Sequence, residues 1–203
     1  MRQIKYIVVH TAAADIPNVD VEVIRQWHIQ RGFSDIGYHY VIINDKHEKY
    51  EDGTVQEGRP LAQIGAHTLG INESSIGICC AGHGDITSFT EKQLASLKKL
   101  VKDLQDQFRV PVENVIGHRE VNKLVDQKII SEQYRTGKTC PGTKIDMDEL
   151  RKFISSEEHA FDRDGFISAI NTINKDVKEV APNSFDEWLH FINHPEILHL
   201  KGE

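Results

Sequence analysis

Short apolar runs alternate along this chain with segments of helical period, and that alternation narrows the possible folds more than any other feature. Ile4 to Val9 (IKYIVV), Tyr38 to Ile43 and Ile76 to Ala81 (IGICCA) are rich in β-branched, aromatic or small apolar residues. Runs of this length and type are read as strands, and a continuous one such as IGICCA as a buried strand. Asp20 is placed to cap a helix running to about Arg31, with Val23, Ile24 and Trp27 at helical spacing and Gly32 as the stop. Thr90 is placed to cap a longer helix to about Phe108, striped by Leu94, Leu97, Leu100, Val101 and Leu104, with Glu91 close to but not at the capping-box position. Val112 to Gly117 predicts a further strand and Asp146 to Ile154 a further helix. Asn44-Asp45 and Asp52-Gly53 read as turns, and residues 122–137 as a polar excursion. Strands alternating with helices predict a mixed α/β domain over residues 1–156, a central mixed β-sheet flanked by helices. Beyond it, Phe166 to Val180 and Phe185 to Ile192 show helical patterns punctuated by Pro182 and Pro195, which predicts a C-terminal helical appendage over residues 157–203.

Composition removes several classes of function. The net charge of −7 argues against a dedicated nucleic-acid binder, whose footprint is normally basic. The apolar runs fall far short of the roughly 18 residues of a membrane span. Arg2 and Lys5 are followed by too few apolar residues for a secretory signal, so synthesis in the cytosol is expected. The three cysteines, Cys79, Cys80 and Cys140, are an odd set with an adjacent pair, which is a poor disulfide framework. Cys79 and Cys80 are expected to be buried in a strand, and Cys140 lies in a loop.

His10, His118 and Cys140 are the residues that could carry chemistry. Two sit at predicted strand ends. Two imidazoles and a thiolate form a three-ligand set for zinc that keeps one position open, and such an ion polarises a carbonyl and acidifies water. Their spacing alone does not assign them, because a histidine at a strand end is more often a polar surface group.

The segments around them add to this reading. IVVHTA (7–12), IRQWHIQRGFSDIGYHYVI (24–42), GAHTLGINESSIGICCAG (65–82), FTEKQLASL (89–97), VIGHREV (115–121) and KTCPG (138–142) occur in this order. In this series the chain resembles the zinc-dependent N-acetylmuramoyl-L-alanine amidases of the type-2 amidase family over roughly residues 4 to 154. That family includes phage lysozymes (endolysins) of amidase type and is related to peptidoglycan-recognition proteins. The resemblance implies Zn2+ held by His10, His118 and Cys140, the last a position held by aspartate in other members. It implies catalytic roles for Tyr38 and Lys138, and a place for His67 near the substrate groove. Asn72 is a further candidate for substrate contact, although the turn chemistry of Ile-Asn-Glu-Ser accounts for it equally. Thr11, beside a ligand, reads either as support for the site or as a plain strand-end threonine.

The implied reaction is hydrolysis of the amide between the lactyl group of N-acetylmuramic acid and L-alanine, in peptidoglycan or its soluble fragments. Lys138 suits stabilisation of an oxyanion. The Tyr38 phenol, with an ordinary pKa near 10, suits positioning better than base catalysis. Two other readings stand beside this one: a non-catalytic peptidoglycan-binding module on the same fold, and a regulator that binds another protein. The segment 157–203 could pack on the domain, anchor it to the wall or take a protein partner. Release to the wall by a route other than the general secretory one is expected.

The chain departs from the family in one place: 21 residues separate His118 from Cys140, more than in the compact phage enzymes. That insert reads as a loop over the groove or a disordered excursion. The other histidines have plainer readings. His39 alternates with Tyr38 and Tyr40, so it faces away from Tyr38 and is expected to be buried and satisfied. His28 packs or caps beside Trp27, His47 sits in a turn, and His83 in Gly-His-Gly lies in a loop that could rim the site. His159, His190, His194 and His199 are too irregularly spaced for a metal site. Asp162-Arg163-Asp164-Gly165 resembles the start of a calcium loop, but the twelfth position is Ile173 where a bidentate glutamate is needed.

Overall fold

The computed structural model describes residues 2–156; the helical appendage expected over 157–203, with its four histidines, lies outside the described residues. Five strands, β1 (Tyr6–Thr11), β2 (Tyr40–Ile42), β3 (Val55–Glu57), β4 (Ser75–Cys80) and β5 (Val115–Gly117), form one sheet in the order β3-β2-β4-β1-β5. β2, β4, β1 and β5 run parallel, and β3 closes one edge antiparallel to β2. The helices are α1 (Val21–Gln30), α2 (Glu91–Phe108), α3 (Val121–Asp126) and α4 (Met147–Ser155). This is the mixed α/β fold that the sequence predicts. Among the described residues, no helix is long and apolar enough to cross a membrane.

β1 and β4 are buried at all six positions because each has a strand on either side and cover on both faces. The two-residue period then sorts their side chains. Ile7, Val9, Ile76, Ile78 and Cys80 pack with Leu97, Val101 and Leu104 of α2 and with Leu150 and Ile154 of α4. On the opposite face Cys79, Val41 and Ile43 meet Ile24 of α1, while Tyr6, Val8 and Ile116 meet Val121 and Leu124 of α3. The adjacent cysteines thus point to opposite faces, both buried among apolar residues.

The helix starts follow from their caps. The Asp20 carboxylate accepts from the Glu22 and Val23 amides at 3.0 and 2.9 Å, and Gly32 follows α1 at φ +88. Thr90 does form a capping box, with Gln93 as its partner. The Gln93 amide is also a tie-bar: buried, it donates to the Ile42 and Ala81 carbonyls at 3.0 Å each and fixes α2 to the ends of β2 and β4.

β1 ends at His10 and Thr11, with the histidine at the strand end as the sequence predicts and in register with Cys79. Three differences from the sequence reading matter. β3 was not predicted. Val112–Asn114 is a 3-10 turn, which leaves β5 only three residues. The stretch read as an excursion begins inside α3 and is tied down further along. Asn122 exchanges two 2.9 Å hydrogen bonds with the Thr136 backbone, and the Tyr134 ring lies where a side chain on Gly70 would be.

Candidate metal centre

The parallel register brings two predicted ligands to one end of the sheet. His10 stands on β1, and His118 follows directly on β5, the strand beside it. Their rings meet edge to face with centroids 4.9 Å apart. Cys140 comes from the loop before α4, and its Sγ lies 3.6 Å from His10 Nδ1. One ligand atom from each of the three residues lies within 4.8 Å of the others.

Three contacts hold that loop against the sheet. The Arg119 amide donates to the Cys140 carbonyl at 2.7 Å, and its guanidinium donates to the carbonyls of Thr139, Gly142 and Ile145. Asp85 accepts from the Thr139 hydroxyl and the Thr143 amide, each at 2.7 Å. At Gly84 the loop approaches so closely that a Cβ would sit 1.8 Å from the Pro141 carbonyl oxygen. Sequence reasoning did not single out Arg119 and Asp85, which hold this loop. Arg119 sits beside His118, which was the available signal; Asp85 offered none.

The donor set fits zinc. Bond lengths of about 2.0 Å to nitrogen and about 2.3 Å to sulfur in a tetrahedron put the two ligand atoms about 3.5 Å apart, close to the 3.6 Å between His10 Nδ1 and Cys140 Sγ. Burial, with the charges of His67, His118, Lys138 and His28, holds the His10 pKa well below its ordinary value. Burial and then Lys138 lower that of His118 to about 4. Both rings therefore present a neutral lone pair at pH 7. Burial pushes the Cys140 thiol up to about 11 against the Thr11 amide, Lys138 and Arg119. A thiol in that state gives up its proton when a cation binds, which couples metal uptake to proton release.

The Tyr38 ring lies 4.9 Å from that of His10. Burial raises its phenol well above its ordinary pKa, as do Cys79 and Cys140, so it is a hydrogen-bond donor across the neutral range. Lys138 is exposed, and its charge acts on His10, His118 and Cys140 alike.

The structure thus brings His10, His118, Cys140 and Tyr38 together, with Lys138 two residues before Cys140 on the same loop. The two residues expected at the groove stand differently. His67 is only 8% exposed, and its Nδ1 lies 3.1 Å from His10 Nε2. The Asn72 side-chain carbonyl accepts from the amides of His67 and Thr68 at 2.9 and 2.7 Å, which is the turn chemistry. His39 is buried and its Nδ1 accepts from the Gly77 amide at 3.0 Å, as expected of a satisfied core histidine. His28 is buried and accepts from the Gly37 amide at 2.8 Å.

The N-acetylmuramoyl-L-alanine amidase family model matches residues 1–143. The chain is 35% identical over 121 residues to an endolysin of Klebsiella phage KP32, a match that covers 57% of this chain and 74% of that protein. It is 38% identical over 109 residues to an endolysin of Escherichia phage T7, covering 51% of this chain and 66% of the other. Among solved structures it is similar to the N-acetylmuramoyl-L-alanine amidase LysC from Clostridium intestinale. There the TM-score is 0.61 at 26% identity, over 77% of this chain and 88% of that one.

Proposed function

The chain belongs to the type-2 N-acetylmuramoyl-L-alanine amidase family, and from that membership we propose that residues 1–156 form a zinc-dependent amidase. In this reading it cleaves the bond between N-acetylmuramic acid and L-alanine in peptidoglycan or its fragments. The observation that carries the proposal is the convergence of His10, His118 and Cys140 within 4.8 Å, with His10 Nδ1 and Cys140 Sγ 3.6 Å apart.

His10 and His118 would hold the ion through neutral imidazoles, and Cys140 through sulfur after losing its proton. An ion held there supplies a Lewis acid for the scissile carbonyl and for water. Tyr38 remains protonated and orients the reacting groups by donating a hydrogen bond. Lys138 places a positive charge where negative charge grows on the carbonyl oxygen as the amide is attacked. Arg119 and Asp85 keep the loop of Lys138 and Cys140 in register with His118.

The test is the purified full chain, loaded with zinc, acting on intact peptidoglycan. New L-alanine amino termini are expected, and a zinc-loaded protein that binds the polymer without releasing them overturns the reading in favour of a binding module.

A further inference from the structure

We propose that His67 is a positioning residue that keeps the ring proton of His10 on Nε2, and that the carbonyl of Ile71 sets this direction through a buried hydrogen-bond chain. The inference rests on reading His10 as a metal ligand.

The direction of the chain is fixed at its far end. A carbonyl oxygen can only accept, so the Ser75 hydroxyl, 2.7 Å from the Ile71 oxygen, donates its single proton there. The lone pairs of Ser75 Oγ then face His67 Nε2 across a long contact of 3.5 Å, in which only that nitrogen is able to donate. A neutral imidazole carries one N–H, so His67 Nδ1 is left with a lone pair, 3.1 Å from His10 Nε2. His10 Nε2 must donate to it, which leaves the His10 Nδ1 lone pair facing Cys140 Sγ. The Thr68 hydroxyl, 3.3 Å from His10 Nε2 and 3.1 Å from His67 Nδ1, can pass the same direction along by accepting from the first and donating to the second.

Every side chain in this chain is buried: His10, His67, Thr68 and Ser75. The seat of His67 is cut to the shape of its ring. A Cβ at Gly65 would lie 2.5 Å from that ring and one at Gly77 2.6 Å from it. Asn72 fixes the backbone of both His67 and Thr68. A ligand whose tautomer is set beforehand need not move its proton when metal arrives, and such outer partners tune affinity strongly.

The experiment uses the full chain labelled at histidine ring nitrogens and stripped of metal by chelation. The ring nitrogen resonances report which nitrogen of His10 carries the proton, and zinc affinity is measured separately by competition with a chelator. The expected result is an Nε2–H tautomer for His10 in the metal-free protein. Ser75→Ala should convert it to a mixture. His67→Phe should weaken zinc about 10–100-fold, and His67→Gln, which can still accept and donate, should recover most of that loss. An Nδ1–H tautomer for His10 in the unsubstituted protein overturns the proposal. So does zinc affinity within about twofold of the unsubstituted protein in both Ser75→Ala and His67→Phe. Because the tautomer is read without metal or substrate, a protein that lacks amidase activity yet shows Nε2–H on His10 overturns the function proposed above and leaves this inference standing.

Discussion

The two faces of the sheet bury different kinds of interior. On one, Ile7, Val9, Ile76 and Ile78 meet the aliphatic side chains of α2 and α4. On the other, next to the apolar seats of α1 and α3, His10, Ser75 and Gly77 support a cluster of histidine rings whose positions depend on which atom donates to which. Aliphatic contacts are many, weak and non-directional, so the first face yields gradually when a group is removed. A hydrogen-bond chain fails at whichever link is cut. Residues 77 and 78, or 79 and 80, are neighbours in sequence, yet substitutions at them report on different properties of the molecule.

Cys140→Ser should bring peptidoglycan hydrolysis to background and abolish tight zinc binding, with an unchanged circular dichroism spectrum. A variant that stays active would remove the directional face from any role in the reaction. Ile78→Ala, on the aliphatic face, should cost about 2–5 kcal/mol in urea unfolding and leave activity per folded molecule intact. Gly77→Ala, one residue away, should do the converse. Its new methyl meets the His67 ring, so zinc affinity should fall about 10–100-fold with a smaller change in stability.

Acid should separate the faces further. Burial lowers the pKa of His39 from 6.5 to about 4, against the raising effect of the Gln63 carbonyl. The unfolded chain therefore binds a proton that the folded one refuses, and stability should decline as pH falls from about 6.5 to about 4. Burial would raise the Glu120 carboxyl, but Arg151, Lys123 and the Gly117 amide outweigh it and hold the pKa at about 2, below its ordinary 4.5. That carboxylate stabilises the fold fully above pH 4.5 and ceases to do so as pH falls through 2. Urea midpoints measured against pH should show both declines. Glu120→Gln should flatten the lower one, and Ile78→Ala should displace the whole curve without altering its shape. The smallest effect is expected outside both faces. Lys99 and Asp103 pair on the exposed side of α2, and Lys99→Ala should change stability by less than about 0.5 kcal/mol.

Much of the aliphatic face was legible in the sequence. The stripe Leu94, Leu97, Leu100, Val101 and Leu104 has the helical period, and burial of β1 and β4 on both faces makes them continuous apolar runs. β3 escaped because Val55–Glu57 is a three-residue edge strand, exposed or half-buried at every position, with no side chain that must be hidden. α3 escaped although Val121, Leu124 and Val125 have helical spacing, because the next stretch of chain is mostly polar and the helix stops at Lys128, left-handed where glycine would be the usual sign. In the candidate site, His10, His118 and Cys140 are remote in the chain, and the register of β1 with β5 and the clasp of Arg119 and Asp85 on the loop bring them together. His39 was readable from strand alternation. The setting of His67 was not: its seat is made by Gly65 and by Gly77, ten residues away, and a missing side chain leaves no mark in a hydrophobic pattern.

The stretch between α3 and Lys138 is pinned where Asn122 grips Thr136 and where Tyr134 rests on Gly70. Tyr134 and Thr136, the held residues, lie along the chain between residues 127–129 and the Lys138–Cys140 loop. The exposed turn at residues 127–129 is therefore a natural graft point, where a reporter or affinity peptide can be spliced in and the reactive end of the sheet left undisturbed.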